Sequence, residues 1–147
     1  MAMLKDVKNK KIVLDTNFLL IPAQFRVDIF AELERICDFN YEVCVLEETV
    51  KELEGLASDK SCRLKDRNAA KLGIQLIKAM DVSVVRQQRK VFKSADKAIL
   101  DFATAMSKAG DKPVILATQD RELRDKLAAK GVAVIVLRQK QYLMFYS

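Results

Sequence analysis

The chain has 147 residues, of which 50% are hydrophobic, with only four glycines and two prolines, so we expect one ordered domain over residues 1–147. Lysine and arginine outnumber aspartate and glutamate by 26 to 20, and the net charge of +6 favours an anionic partner such as nucleic acid. The absence of histidine excludes Ser-His-Asp and Cys-His catalysis and histidine-bound zinc. Acid–base or metal chemistry must therefore use carboxylates.

Cysteine usage and hydropathy bear on the compartment. The three cysteines form no Cys-x-x-Cys pair, so they predict neither a disulfide framework nor a zinc knuckle. Cys37 and Cys44 lie in apolar patterns that are typical of buried thiols in a reducing compartment. No apolar run approaches the roughly 18 residues that a membrane-spanning helix needs. We therefore expect a cytoplasmic protein without a membrane partner.

Apolar strand-like runs alternate with helical patterns along the chain. The first half predicts a strand at residues 11–15, a helix that contains residues 27–37 with Pro22 at its irregular entry, a strand at residues 41–46, a helix that begins near Glu47, and a long helix with Ala69, Leu72, Leu76 and Ala79 as its buried face. The second half predicts a strand at residues 82–85, a basic loop at 86–93, a helix at 95–109 between an N-cap at Ser94 and Gly110, a strand at 114–118, a helix at 120–129 and a last strand at 132–137. This alternation predicts an α/β fold, whose mainly parallel sheet has helices on both faces; the strand order stays open.

Four acidic residues fall at comparable positions in these elements. Asp15 and Asp120 follow buried strands, Asp96 lies in the first turn of a helix, and Glu52 lies beside the apolar stripe of another helix. Because the carboxyl ends of parallel strands meet at one edge of a sheet, we expect these carboxylates to converge there. Helix capping is the structural alternative for Asp15 and Asp120, and the helix dipole is the alternative for the first-turn Asp96; the pattern does not separate Glu52 from Glu48.

Carboxylates are the hard oxygen ligands that Mg²⁺ and Mn²⁺ take in proteins. Several of them at one sheet edge can hold one or two such ions, which polarise a phosphodiester and activate water. Without a metal, the carboxylates repel one another and raise at least one pKa. Acidic residues at one edge of a net basic chain therefore predict a metal-dependent enzyme that acts on a polyanion.

Four ordered segments resemble the PIN domain family of metal-dependent ribonucleases, and the resemblance covers nearly the whole chain. They are VLDTNFLL with Asp15 and Asn17, VKELEGL with Glu52, SADKAILDFA with Asp96, and ILATQDREL with Thr118 and Asp120. The resemblance implies a Rossmann-like three-layer sandwich, bound Mg²⁺ or Mn²⁺, and hydrolysis of single-stranded RNA that leaves a 5′-phosphate. It also implies the catalytic set Asp15, Glu52, Asp96 and Asp120, with metal on the three aspartates, Asn17 and Thr118 in support, and Glu52 selected over Glu48.

Within this family, the chain looks closest to an archaeal-type group related to eukaryotic rRNA-processing nucleases, and somewhat less like the VapC-type toxins. The resemblance implies RNA processing, with a ribosome-assembly protein as partner, or a toxin-type role, with an antitoxin as partner. Close relatives often carry a second acid directly after the third one, and here that position is Lys97. This departure keeps open a catalytically weak RNA-binding scaffold with the same fold.

Two other phosphate-handling families fit the first strand poorly. A haloacid-dehalogenase-like phosphatase needs a second aspartate two residues after the first, where this chain has Asn17. A receiver-type phospho-acceptor needs an acidic pair at the end of its first strand, where this chain has the dipeptide Asp15-Thr16. The nuclease interpretation therefore stands ahead of both.

Basic segments at residues 60–71 and 86–93 flank the acidic motifs. We expect them to contact RNA phosphates, with Arg86, Arg89 and Lys90 as the candidate RNA-binding residues. Solvated helix faces are the alternative, and Phe92 alone among their residues is aromatic, so base stacking is not evident. The apolar tail at residues 142–146 predicts docking on the core or a contact in a homodimer.

Overall fold

The computed structural model describes residues 10–87, 92–109 and 113–146, and these form six strands and six helices. In chain order they are β1 (Lys10–Leu14), α1 (Thr16–Phe25), α2 (Ile29–Ile36), β2 (Tyr41–Leu46), α3 (Glu47–Ser58), α4 (Leu64–Ala79), β3 (Ser83–Val85), α5 (Ala95–Ala109), β4 (Val114–Ala117), α6 (Arg121–Ala129), β5 (Ala133–Arg138) and β6 (Tyr142–Phe145). Most predicted bounds agree within one residue, and Lys97 N–H donates to Ser94 Oγ at 3.3 Å, which confirms the predicted cap of α5. Gly110, predicted to follow α5, lies outside the described residues.

The strands form one sheet in the order β3-β2-β1-β4-β5-β6. The first five strands run parallel to their neighbours, and β6 returns antiparallel beside β5. β1 lies in the middle of the sheet, β2 and β3 extend the sheet on one side of it, and the chain then crosses to β4 on the other side. The topological switch point therefore lies between β1 and β4, and the mainly parallel α/β prediction is confirmed.

Helices cover both faces of the sheet, as predicted. Successive strand residues point to opposite faces, so Ile12 and Leu14 pack in a core cluster with α1–α4, while Val13 packs in a second cluster with α5 and α6. Cys44 is buried in the second cluster, and Cys37 is half-buried. Within the described residues, no helix is both long enough and apolar enough to cross a lipid bilayer.

Residues 16–36 form two helices where the sequence predicted one. The Asp15 carboxylate accepts a hydrogen bond from Phe18 N–H and starts α1, which contains Pro22 in its interior. α1 ends at Arg26, whose φ of 55° is left-handed, and the Asp28 carboxylate then caps α2. The prediction of a single helix with an irregular entry at Pro22 is wrong because two capping aspartates start two helices.

α4 buries a face that differs from the predicted one. Its buried residues are Ala69, Ala70, Gly73 and Ile77, whereas Ala79 is exposed and Leu72 and Leu76 are half-buried. A Cβ atom added at Gly73 would lie 3.0 Å from the carbonyl oxygen of Leu19, so α4 approaches α1 through this glycine. The spacing of large apolar residues does not detect a face that packs through small ones.

The apolar tail forms the extra edge strand β6, so the strand at residues 133–138 is not the last one. Leu143 is fully buried against the core. Its N–H donates to Glu32 Oε1 at 2.9 Å, and its carbonyl accepts from Arg35 Nη2 at 2.8 Å. The predicted docking of the tail on the core is therefore confirmed, and the homodimer contact stays a prediction.

Candidate active site

Asp15 is held rigidly at the carboxyl end of β1, in the middle of the sheet. Its side chain is 1% exposed, and its backbone N–H donates to the carbonyl of Ala117 at 3.1 Å. Its Oδ1 accepts from Phe18 N–H at 2.7 Å, and its Oδ2 accepts from the hydroxyl of Thr118. The same hydroxyl oxygen accepts from the backbone N–H of Asp120 at 3.0 Å. Thr118 therefore links the acid that follows β1 to the acid that follows β4.

The environment of Asp15 disfavours its charge. Its pKa is raised from 3.8 to about 7, and burial is the largest cause; hydrogen bonds from Thr118 and Phe18 lower the pKa in part, and the charges of Asp96 and Asp120 contribute to the rise. The sequence predicted that repulsion between carboxylates would raise at least one pKa. Repulsion contributes here, but burial is the larger cause.

Asp96 and Asp120 approach each other across the gap between α5 and α6. Asp96 lies in the first turn of α5, and Asp120 caps α6 by accepting from Leu123 N–H at 3.0 Å. Partial burial raises the pKa of Asp96 first, followed by the charge of Asp120, the charge of Glu52 and a hydrogen bond to the Asp120 side chain. Two carboxyl groups within hydrogen-bonding distance need a shared proton or a cation between them.

Glu52 is exposed on α3 and lies within electrostatic reach of this pair, because its charge is one cause of the raised pKa of Asp96. Glu48 is half-buried on the same helix, and its Oε1 has no hydrogen-bond partner within the part of the chain that the structure describes. Asn17 is exposed in the first turn of α1, next to Asp15. The structure thus brings the four predicted acids to one edge of the sheet.

Glu122 is a further acid at this edge that the sequence interpretation missed. It lies in the first turn of α6, and its charge also raises the pKa of Asp96. It lines a depression of about 210 Å³ together with Asp96 and Asp120. Its Oε1 lies 3.1 Å from Lys126 Nζ, an i,i+4 ion pair that resembles an ordinary solvated helix pair in the sequence. Only its place in ILATQDREL, two residues after Asp120, signals the site.

The predicted RNA-binding residues are only partly described. Arg86 is exposed, and its Nε lies 3.8 Å from Glu47 Oε2 at the start of α3. Arg89 and Lys90 lie outside the described residues. In the other basic segment, Arg63 pairs with Asp66 at 3.0 Å.

The acidic residues fit a largely hydrated divalent ion better than a closed cage of protein ligands. Among residues 10–87, 92–109 and 113–146, no three acidic or thiol side chains are already arranged to bind one ion together. Both oxygens of Asp15 accept hydrogen bonds, whereas Asp96 and Asp120 face each other. Mg²⁺ commonly uses one or two carboxylates and keeps several waters. The Asp96–Asp120 pair supplies such carboxylates, with Asp15 adding negative charge behind them.

Comparisons with known proteins show the family to which the chain belongs. A family model described as "PIN like domain" matches residues 12–140. The chain belongs to the PIN-like domain family. Ribonuclease VapC4 of Methanocaldococcus jannaschii is 32% identical over 137 residues, which are 93% of this chain and 97% of that protein.

A solved structure, that of the PIN domain endonuclease Utp24, matches this PIN-like domain with a TM-score of 0.72 at 17% sequence identity. The match covers 92% of this chain and 90% of that one, and it shows a shared fold. The family resemblance and the Rossmann-like sandwich predicted from the sequence are therefore confirmed. The roles of individual site residues stay predictions.

Proposed function

We propose that this PIN-like domain is a ribonuclease that hydrolyses phosphodiester bonds in single-stranded RNA with the help of Mg²⁺ or Mn²⁺. The observation that carries the proposal is the approach of Asp96 to Asp120, in front of the buried Asp15, at the switch point of the sheet. The names of the two related proteins, a ribonuclease and an endonuclease, support this reaction class. The net charge of +6 supports an anionic substrate.

In this proposal the carboxylates divide the work. Asp96 and Asp120 would hold the ion, and Asp15 would stabilise it electrostatically from its buried position behind them. A bound divalent ion polarises the phosphodiester and lowers the pKa of water near it. Glu52, exposed at the rim, would accept the proton of the attacking water. Thr118 positions the carboxylate of Asp15 and the backbone of Asp120 through hydrogen bonds. Asn17, at the start of α1, would support the site as a neighbouring polar side chain.

The test is cleavage of labelled single-stranded RNA in Mn²⁺, Mg²⁺ or EDTA. Asp120→Asn removes the charge but keeps an oxygen that can cap α6, and Glu52→Gln removes the charge from α3. Asp125→Asn and Glu54→Gln are matched controls, because both side chains are exposed on the same two helices. We expect metal-dependent cleavage that Asp120→Asn and Glu52→Gln abolish and the controls keep. Equal cleavage by all variants, or cleavage in EDTA, would overturn the proposal.

A catalytically weak RNA-binding scaffold is the second candidate, and Lys97 is the observation that favours it. Its side chain is exposed and lines the same depression as Asp96 and Asp120, where a positive charge opposes binding of a second cation. A scaffold would bind RNA equally well before and after Asp15→Asn and would show no metal-dependent cleavage. The same assay therefore separates the two candidates.

The name of the sequence relative, Ribonuclease VapC4, favours a toxin-type role with an antitoxin as partner over RNA processing with a ribosome-assembly protein. A small antitoxin gene adjacent to the gene for this chain would support that role, and its absence would favour RNA processing. We further propose a cytoplasmic homodimer. Light scattering of the purified chain tests the dimer, and a monomeric mass would refute it.

A further inference from the structure

A surface groove runs away from the acidic residues along α5. The depression of about 210 Å³ beside Asp96 and Asp120 also has Lys97 and Leu100 in its wall. A second depression, of about 330 Å³, is lined by the same Lys97 and Leu100, by Asp101 and Thr104, and by Phe92 and Lys130. Because Lys97 and Leu100 belong to both walls, the two depressions are neighbours along α5. We call the two depressions together the α5 groove.

The lysines of the α5 groove differ in how far they are neutralised. Lys126 is paired with Glu122. Lys97 and Lys130 are both exposed, and neither forms an ion pair with another described residue. Lys97 stands directly after Asp96, and the wall of the second depression carries two lysines and one acid, Asp101. The groove therefore changes from acidic near Asp96 to mainly basic beyond Lys97. Such an arrangement repels a phosphate at the acidic end in the absence of metal and attracts one at Lys97 and Lys130.

We propose that the RNA backbone follows the α5 groove, with Lys97 contacting a phosphate beside the candidate site and Lys130 contacting a more distant one. This inference rests on the proposed function for the identity of the ligand. Lysine contacts to phosphates fix the register of a strand without reading its bases. Lys97 is thus a positioning residue for the RNA. An acidic residue at the same position would instead attract a metal ion and repel the phosphate. The Phe92 ring forms an apolar wall at the far end of the groove.

This path differs from the one predicted from the basic loop. Arg86, the described member of the predicted RNA-binding set, lies near Glu47, which partly neutralises it. The α5 groove instead uses Lys97 of α5 and Lys130, the C-cap residue that follows α6, and these two helices lie on the same face of the sheet. No run of basic residues in the sequence reveals it.

The experiment is fluorescence anisotropy of a labelled single-stranded RNA oligonucleotide in EDTA, so that neither metal binding nor cleavage affects the reading. The variants are Lys97→Gln, Lys130→Gln and the double variant. Lys78→Gln on α4 is the matched control, since it removes one exposed positive charge from the opposite face of the sheet. Thermal unfolding of each variant checks that it is folded.

We expect each groove variant to bind RNA roughly threefold to tenfold more weakly, in the range of one exposed charge-assisted contact. Each should also reduce the slope of log K against log salt by about 0.7, the value for one lost phosphate contact on a single strand. Lys78→Gln should change neither quantity beyond its small effect on net charge. Groove variants that match Lys78→Gln in affinity and slope would overturn the inference.

A charge reversal separates positioning from a merely structural role. Lys97→Glu should weaken RNA binding in EDTA and, in the same protein, increase the stabilisation of the fold by Mn²⁺, because an added acid beside Asp96 attracts a cation and repels a phosphate. A structural defect would lower both the affinity for RNA and the stabilisation by Mn²⁺. If Mn²⁺ stabilises the wild type, equal or weaker stabilisation of Lys97→Glu together with undiminished RNA binding in EDTA contradicts the assignment.

The outcomes for this inference and for the proposed function are distinguishable. Wild-type protein that binds RNA through Lys97 and Lys130 but cleaves none supports the α5 groove and rejects the ribonuclease. Wild-type protein that cleaves RNA while the groove variants bind normally rejects the groove alone. Wild-type protein that neither binds nor cleaves RNA overturns both.

Discussion

Asp15 combines three tasks in one buried side chain. It caps α1, it accepts a hydrogen bond from the hydroxyl of Thr118, and it places a carboxyl group behind Asp96 and Asp120. The fold stabilises its protonated form, since its pKa is raised from 3.8 to about 7, with burial as the largest cause. The folded protein therefore retains a proton at Asp15 over a pH range in which the unfolded chain has released it. This contribution to stability is fully present below about pH 4 and is lost as the pH rises through 7.

The change Asp15→Asn tests this linkage in EDTA. Asparagine is neutral at every pH and keeps an oxygen that can accept from Phe18 N–H. We expect the variant to raise the free energy of unfolding by roughly 2–4 kcal/mol at about pH 8, and by much less at about pH 5, where wild-type Asp15 is already protonated. Urea unfolding at the two pH values measures the difference. Asp125→Asn serves as an exposed control, and an equal effect of Asp15→Asn at both pH values would contradict the pKa shift.

Single residues show why the sequence located three of the site acids. Asp15, Asp96 and Asp120 follow signals that are local in the chain, namely the end of an apolar strand or the start of a helix. Capping and a catalytic role were alternatives in the sequence, and the structure shows that Asp15 and Asp120 cap helices while lying at the candidate site, so the two roles are compatible. Glu122 was not predicted as a site residue because the helix dipole alone explains a glutamate in a first turn. Glu52 was separable from Glu48 only through family resemblance, since both follow β2 on one helix.

At the scale of helices, the contact between α1 and α4 depends on glycine. Gly73 lies on the buried face of α4, where an added Cβ would meet the Leu19 carbonyl oxygen at 3.0 Å and its Cβ at 3.5 Å. We expect Gly73→Ala to destabilise the protein by about 1–2 kcal/mol, because the cost of moving the two helices apart exceeds the helix-propensity gain of roughly 1 kcal/mol. Chemical denaturation measures the loss.

Gly55→Ala is the matched control for that variant. Gly55 is an exposed interior residue of α3, and nothing lies within 4 Å of an added Cβ. The same substitution should therefore stabilise the protein by about 0.5–1 kcal/mol through helix propensity alone. Effects of the same sign at the two glycines would refute the close approach of α1 and α4.

The edge strand β6 is attached to α2 by side chains as well as to β5 by its backbone. Glu32 Oε1 accepts from the N–H of Leu143, and Arg35 donates to the carbonyl of the same residue. We expect Glu32→Ala to cost about 1 kcal/mol in local stability, because it removes an acceptor from an amide that no sheet partner satisfies. Hydrogen exchange of residues 142–146 should become faster while the global unfolding midpoint changes little.

Glu34→Ala is the control for β6, since Glu34 is exposed on the same helix. It should leave exchange in residues 142–146 unchanged. If Glu32→Ala leaves exchange there unchanged as well, the side-chain attachment of the strand contributes nothing measurable. The sequence predicted docking of this tail from its apolar composition, but the partners on α2 are more than 100 residues away in the chain and could not be read from it.

For the whole molecule, alternation of apolar runs was sufficient to predict the fold class but not the strand order. A parallel strand buried on both faces looks the same in sequence wherever it lies in the sheet. The placement of β1 between β2 and β4 follows from pairings such as Val13 with Cys44 and with Leu116, which no local pattern encodes. The face of α4 was also misjudged, since small residues at a close helix contact carry little hydrophobic signal. Local signals thus predicted which residues reach the carboxyl edge, and only tertiary pairing determined which of them meet.

The crowding of acids at one edge of a net basic molecule has a consequence for the stability of the entire fold. Only the folded chain brings Asp96 and Asp120 within hydrogen-bonding distance, so a divalent ion that binds between them should stabilise the folded state selectively. At a concentration of 100 times its dissociation constant, such an ion contributes about 2.7 kcal/mol, and each kcal/mol raises the Tm of a domain of this size by roughly 2–4 °C. We therefore expect Mn²⁺ to raise the Tm by about 5–10 °C at neutral pH or above.

Protons compete with the ion for the site, so the rise in Tm that Mn²⁺ causes should become smaller as the pH falls. Because the pKa of Asp96 is raised by burial and by the neighbouring acids, a falling pH protonates Asp96 and should reduce the Tm shift. Differential scanning fluorimetry across a pH series measures it, with NaCl at matched ionic strength as the control for general charge screening. Asp120→Asn should abolish the shift and Asp125→Asn should keep it. If NaCl produces the same rise in Tm, or if the rise remains in Asp120→Asn, the stabilisation reflects general charge screening and not the binding of a specific cation at the acidic edge.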